Sequence, residues 1–173
     1  MTPEFARPHR LDQIGVGESR VTVTAEPGER AALAERFDLQ AIDALEANYA
    51  LRREGAGVHA TGHLSAKVTQ SCVATGDPVP AAVEEDFEIL FLPEGGETGD
   101  EIELSADECD TAFFTGGAID LGEAAAETLA LALDPFPRSP RAAQALKDAG
   151  VISEEEAGPF GALAGLRDML GKQ

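Results

Sequence analysis

Val58-His59-Ala60-Thr61-Gly62-His63-Leu64-Ser65-Ala66-Lys67-Val68-Thr69-Gln70-Ser71-Cys72 is the stretch on which the fold turns. Val58, Ala60, Gly62, Leu64, Ala66, Val68 and Cys72 fall on one side of an extended chain, and His59, Thr61, His63, Ser65, Lys67, Thr69 and Ser71 fall on the other. Hydrophobicity with a period of two marks a strand buried on one face and wet on the other. The glycine in its middle predicts a bulge at Gly62.

The same period extends in both directions. Before the turn signal Glu54-Gly55-Ala56-Gly57, the residues Leu45, Ala47, Tyr49 and Leu51 alternate with Glu46, Asn48 and Arg52. After the turn Gly76-Asp77-Pro78, the residues Val83, Phe87, Ile89 and Phe91 alternate with Glu84, Asp86 and Glu88. Three strands in succession with short turns imply an antiparallel meander, either open or closed into a barrel. A shorter strand is expected from Ser19 to Ala25, through Val21 and Val23. Pro27 then opens a helix over Glu29 to Phe37, with Ala31, Leu33, Ala34 and Phe37 at helical spacing. A second helix begins at Asp120, where the Asp120/Glu123 spacing resembles a capping box, and buries Leu121, Ala125, Leu129, Ala132 and Leu133. Pro135, Pro137 and Pro140 cannot continue it. Short helices are expected beyond, at Arg141 to Ala149 and Pro159 to Leu170. The reading is an α+β body over residues 1–134, a β-meander packed by two helices. A proline-started helical tail over 135–173 packs on the body or extends from it.

Charge restricts the partners. Thirteen Lys and Arg stand against 32 Asp and Glu, a formal net charge of −19. The 70 residues from 68 to 137 contain no Lys, Arg or His and 17 acidic residues, twelve of them between Glu84 and Asp110. Such a chain gains no counterion-release free energy from a phosphate backbone, so RNA contact is expected to be indirect. The acidic run reads either as a solubilising face or as a docking surface for something basic. No apolar run reaches the roughly 18 residues of a membrane span, and Met1 to Arg10 lacks the apolar stretch of a secretory signal, so the expected location is cytoplasmic.

Little in the sequence suggests catalysis. On a strand, His59 and His63 lie about 13 Å apart, too far to share one metal ion. Cys72 falls on the apolar face and reads as a small core residue, and Cys109 supplies no metal-ligand spacing with it. Asp120 and Glu127 are explained by a helix cap and a helix-face acid. Phosphate loop, dinucleotide fingerprint and nucleophile elbow are all missing from the sequence. The expectation is a non-enzymatic protein with no metal or cofactor.

Several segments in order resemble the YceD family, the large ribosomal RNA subunit accumulation proteins. They are Val68 to Val79 with Cys72 and Pro78, the following acidic strand, Gly117 to Glu123 with Asp120 and Leu121, then Glu127, Leu129 to Leu133, and Pro135-Phe136-Pro137-Arg138. The tail Gly158-Pro159-Phe160 with Leu163 and Leu166 fits as well. The resemblance implies a cytoplasmic, non-catalytic role in ribosome biogenesis that supports accumulation of large-subunit ribosomal RNA. Many relatives carry Cys-x-x-Cys at the position of Cys72, whereas here the second place is Thr75.

Taken with the charge, the resemblance leads to a basic ribosomal or assembly protein as the expected partner. The expected binding residues are Glu84, Asp86, Glu88, Asp107, Glu108 and Asp110. Two alternatives come from other classes. One is direct RNA contact through Arg7, Arg10, Arg20, Arg52, Arg53 and Lys67; the other is a small-molecule carrier with a pocket between sheet and helix.

Overall fold

A computed structural model describes residues 3–95 and 110–151. The chain divides into two compact units, one formed by Met1–Gln70 with Pro80–Pro135, the other by Ser71–Val79 with Phe136–Gln173. The elements run β1 (Pro8–Arg10), β2 (Ser19–Thr24), α1 (Pro27–Arg36), β3 (Ala41–Glu54), β4 (Gly57–Ser71), β5 (Pro78–Pro93), β6 (Asp110–Phe114), β7 (Ala118–Asp120), α2 (Leu121–Ala132) and α3 (Ala142–Asp148).

The expected α+β meander is present. Five strands form one sheet in the order β2-β3-β4-β5-β6, and β1 pairs with β7 in a small second sheet. Pairing is antiparallel from β2 to β3 and from β3 to β4, with Tyr49 opposite Gly62 and Asn48 opposite His63. Among the described residues the sheet is open, with β2 and β6 at its edges. One departure from a pure meander is β6, which runs parallel to β5 and sets Asp110 opposite Ile89.

Gly62 does not sit at a bulge; the register shift falls between Ile42 and Ala44. The glycine instead makes room for an aromatic ring. A Cβ at Gly62 would lie 2.2 Å from the Asn48 carbonyl oxygen and 2.4 Å from Phe87 Cζ. Phe87 on β5 and Tyr49 on β3 meet across this gap, their centroids 5.0 Å apart at 58°. This tilted arrangement suits two aromatic quadrupoles. Tyr49 then reaches out of the sheet, and its hydroxyl donates to the Leu121 carbonyl at 2.7 Å.

The inward faces close a dry core. Leu45, Leu51, Val58 and Leu64 from the sheet, Leu33 from α1, and Leu121 and Leu129 from α2 are each at most 1% exposed. Burying each such side chain stabilises the fold by about 1.5–3 kcal/mol before entropy is counted. Gln70 is 7% exposed, and its amide donates to the Asp134 carbonyl at 2.8 Å, which satisfies a polar group on the inward side of β4. The N-terminal segment is clamped over α2, because Gly122 lets the Phe5 carbonyl come closer than any Cβ would permit.

Asp120 caps α2 as the sequence predicts. Its Oδ1 accepts from the amides of Gly122 and Glu123 at 3.0 and 3.1 Å and from the Arg7 amide at 2.8 Å. The reciprocal half of the expected capping box is replaced by an ion pair, since Glu123 turns to the Arg36 guanidinium on α1 at 2.8 and 3.0 Å. Arg36 also reaches Glu4, and Arg7 grips Glu29 with two bonds of 2.7 and 2.8 Å. In the second unit α3 lies where the tail's first helix was expected. The expected helix Pro159 to Leu170, with Phe160, Leu163 and Leu166, lies outside the described residues, as do Asp107, Glu108 and Cys109.

Two substitutions test this frame. Asp120→Ala strips an acceptor from three amides and is expected to cost about 1–2 kcal/mol in chemical denaturation. Gly62→Ala drives a methyl into a backbone carbonyl and a ring and is expected to cost about 2 kcal/mol or more. An unchanged denaturation midpoint for either would remove the corresponding contact from the account.

Candidate functional site

Alternation along β5 sends Val83, Phe87 and Ile89 into the core and Glu84, Asp86 and Glu88 out of the opposite face. All three carboxylates meet side chains of β4. Glu84 Oε1 accepts from Ser65 Oγ at 2.9 Å, and its Oε2 lies 2.8 Å from His63 Nε2. Asp86 Oδ1 lies 2.6 Å from His63 Nδ1, and Glu88 Oε1 lies 2.6 Å from His59 Nε2. The pairing raises the His63 pKa, through Asp86 first and Glu84 second. His63 in turn holds the Glu84 carboxyl below its usual range.

This outward row is bordered by two open grooves. On one side the sheet surface forms a concavity of about 520 Å³, lined by Arg20, Thr22, Asn48, Thr61, His63 and Asp86. On the other side a groove of about 190 Å³ is bounded by Asp86, Glu88, Asp110 and Leu131. Leu131 is 80% exposed there, an apolar side chain among acids. Of the six acidic residues the sequence singles out, Glu84, Asp86 and Glu88 thus share the outward face of β5, whereas Asp110, paired with Ile89, has the register of the inward face and borders only the groove beside α2.

Of the basic residues considered for RNA contact, the five arginines are held within the chain, and Lys67 is exposed on β4. Arg7 pairs with Glu29, Arg10 with Asp12, Arg20 with Glu18 and Arg52 with Glu54. Arg53 donates to the Leu11 carbonyl at 3.1 Å. Arg10 and Arg53 line a shallow groove of about 800 Å³ with Leu11, Asp12 and Gly117.

In the second unit, Cys72 begins a tight turn in which the Gly76 amide donates to the Cys72 carbonyl and the Cys72 amide to the Asp77 carbonyl, both at 2.8 Å. Pro137, whose carbonyl accepts from the Val73 amide at 2.9 Å, brings the later segment alongside. Cys72 is 3% exposed, as a core residue would be, but its sulfur is surrounded by donors. The Ser139 amide and the Thr75 hydroxyl lead in drawing its pKa down to about 6. Ser139 Oγ donates to Asp77 Oδ2 at 3.0 Å, and Arg141 grips both Asp77 oxygens, which holds that carboxyl at about 2.

The sequence reading missed Asp77, Ser139 and Arg141. Its only signal for them was polar side chains set among prolines at two distant places. Thr75 bonds within this cluster, its hydroxyl lying 3.2 Å from Ser139 Oγ and accepting from the Asp77 amide at 3.3 Å. Among the described residues, no three His, Cys, Asp or Glu side chains are arranged to hold a metal ion. Glu127 projects from α2 with its pKa raised by partial burial and by Glu123. Pro78 opens β5, and Arg138 is exposed.

Compared with known families, the chain matches the one described as "Large ribosomal RNA subunit accumulation protein YceD" over residues 60–167. No curated protein and no solved structure matches it.

A thiol held as thiolate adds stability above its unfolded-state pKa, and that contribution is lost as pH falls through the folded value of about 6. In a Cys109→Ala background, thiolate ultraviolet absorbance is therefore expected to rise with a midpoint near 6. Thr75→Val with Ser139→Ala is expected to move that midpoint upward. A midpoint at the ordinary thiol value in the parent protein would contradict the donor arrangement.

Proposed function

The chain belongs to the YceD family of large ribosomal RNA subunit accumulation proteins, and from that premise we propose that it acts as a non-enzymatic ribosome-biogenesis factor in the cytoplasm. In this reading it binds a basic ribosomal or assembly protein through the outward acidic row of β5. The observation that carries the proposal is the placement of Glu84, Asp86 and Glu88 on one face of β5, each engaged by a side chain of the neighbouring β4. A strand hydrogen-bonded to its neighbour presents these carboxylates at fixed spacing.

Unassembled ribosomal proteins carry dense positive charge, and a complementary surface steers their encounter and suppresses wrong contacts. RNA enters this scheme through the bound protein. In support, Arg7, Arg10, Arg20 and Arg52 are each compensated by a carboxylate of the same chain. A carrier role draws less support, since leucines fill the space between sheet and helices and the described grooves are open. Among the described residues no helix is long and apolar enough to cross a membrane.

Capture of partners from lysate with and without nuclease tests the proposal, because a protein partner survives nuclease and an RNA-bridged one does not. Replacing Glu84, Asp86, Glu88, Asp107, Glu108 and Asp110 by their amides is expected to slow association about tenfold at low salt and to flatten its salt dependence. Unchanged association rate and salt slope would reduce the acidic face to a solubilising surface.

A further inference from the structure

His63 has a carboxylate against each ring nitrogen, Asp86 at Nδ1 and Glu84 at Nε2, at 2.6 and 2.8 Å. A neutral imidazole offers one N–H and one lone pair, and a lone pair facing a carboxylate oxygen at such a distance is repelled. Only the imidazolium donates to both partners. The geometry therefore describes a cation already seated between two acids on the exposed face of the sheet.

The surroundings leave that cation as the main local compensation. Ser65 on the same strand anchors the other oxygen of Glu84. His59, also on β4, is engaged with Glu88. Across the sheet, β3 sets Asn48 opposite His63 and Glu46 opposite Ser65, and Thr22 of β2 bonds to Asn48. Arg20 borders the same concavity but pairs with Glu18. Among the described residues, no Lys or Arg forms an ion pair with Glu84, Asp86 or Glu88.

We propose that His63 is the resident counter-ion of the acidic row, and that a lysine- or arginine-rich segment of the partner docks by taking its place. This inference rests on the docking surface proposed above and assigns its regulation. The imidazolium proton passes to solvent, and an incoming ammonium or guanidinium takes over its bonds to Glu84 and Asp86. The sign follows from the order of events. Below the His63 pKa a partner must expel a proton before it can pair, whereas above that pKa the carboxylates lack their internal cation. Binding therefore tightens as pH rises, although the isolated fold loses the stability of the His63 pairs over the same interval.

The test has two readouts on the full chain. First, the His63 imidazole is titrated by NMR in the free protein. The expected midpoint lies above the ordinary histidine value and falls back toward it in Asp86→Asn. Second, calorimetry follows an oligolysine peptide binding near neutral pH in two buffers of different ionisation enthalpy. Net proton release is expected, averaging about half a proton per peptide between about pH 6 and about pH 8, which corresponds to affinity about tenfold tighter at the upper pH. His63→Gln is expected to keep binding while losing both the proton release and the pH dependence. An ordinary His63 midpoint, or binding without proton release, overturns the proposal. Failure of oligolysine to bind at either pH overturns the docking surface itself, and the titration of the free protein tells the two failures apart.

Discussion

One carboxylate oxygen organises the first unit. Asp120 Oδ1 accepts two amides from the start of α2 and one from Arg7, residues separated by 113 positions in the chain. A charged acceptor facing three donors at a helix N-terminus satisfies groups that the helix leaves open and complements its dipole. The residues around it depend on that placement. Leu121 presents its carbonyl to Tyr49 of the sheet and its amide to the Arg7 carbonyl, while Gly122 admits the Phe5 carbonyl. Helix, sheet and N-terminal segment thus meet over three consecutive residues, and the ion pairs of Arg7 and Arg36 add α1 to the same junction.

Charge is distributed differently at the two places where it matters most in this unit. Around α1 the arginines and carboxylates are partly buried and bidentate, an arrangement that fixes geometry. On the outer face of β5 the compensation is supplied by histidine, whose charge is conditional. The same strand is therefore invariant on its inward side, where Phe87 and Ile89 pack, and adjustable on its outward side. A sheet is well suited to this division because adjacent residues look in opposite directions.

The sequence made the long elements legible because each carries its own period. β3, β4 and β5 alternate, and Leu33 or Leu129 recur at helical spacing within a dry stripe. Features that depend on register between strands were less accessible. Gly62 was visible as an irregularity, but its role as the seat of the Phe87 ring requires knowing that the two residues are cross-strand neighbours. The double pairing of His63 likewise appears only once Asp86 and Glu84 are set beside it. Asp110 to Phe114 has no pattern that distinguishes parallel pairing, and β1 and β7 are each too short to show one. Cys72 was read by extending the β4 alternation; the strand ends at Ser71, and the groups that set the thiol's chemistry come from Ser139 and its neighbours.

The second unit is assembled from pieces that synthesis delivers at different times. Ser71–Val79 emerges well before the segment that begins at Phe136. Until then Asp77 has no arginine to neutralise it, and the Cys72 sulfur lacks the Ser139 donors. With Ser139 in place, Cys72 is 3% exposed. The chemistry of the thiol at this one position is therefore tied to the arrival of the segment that carries Ser139.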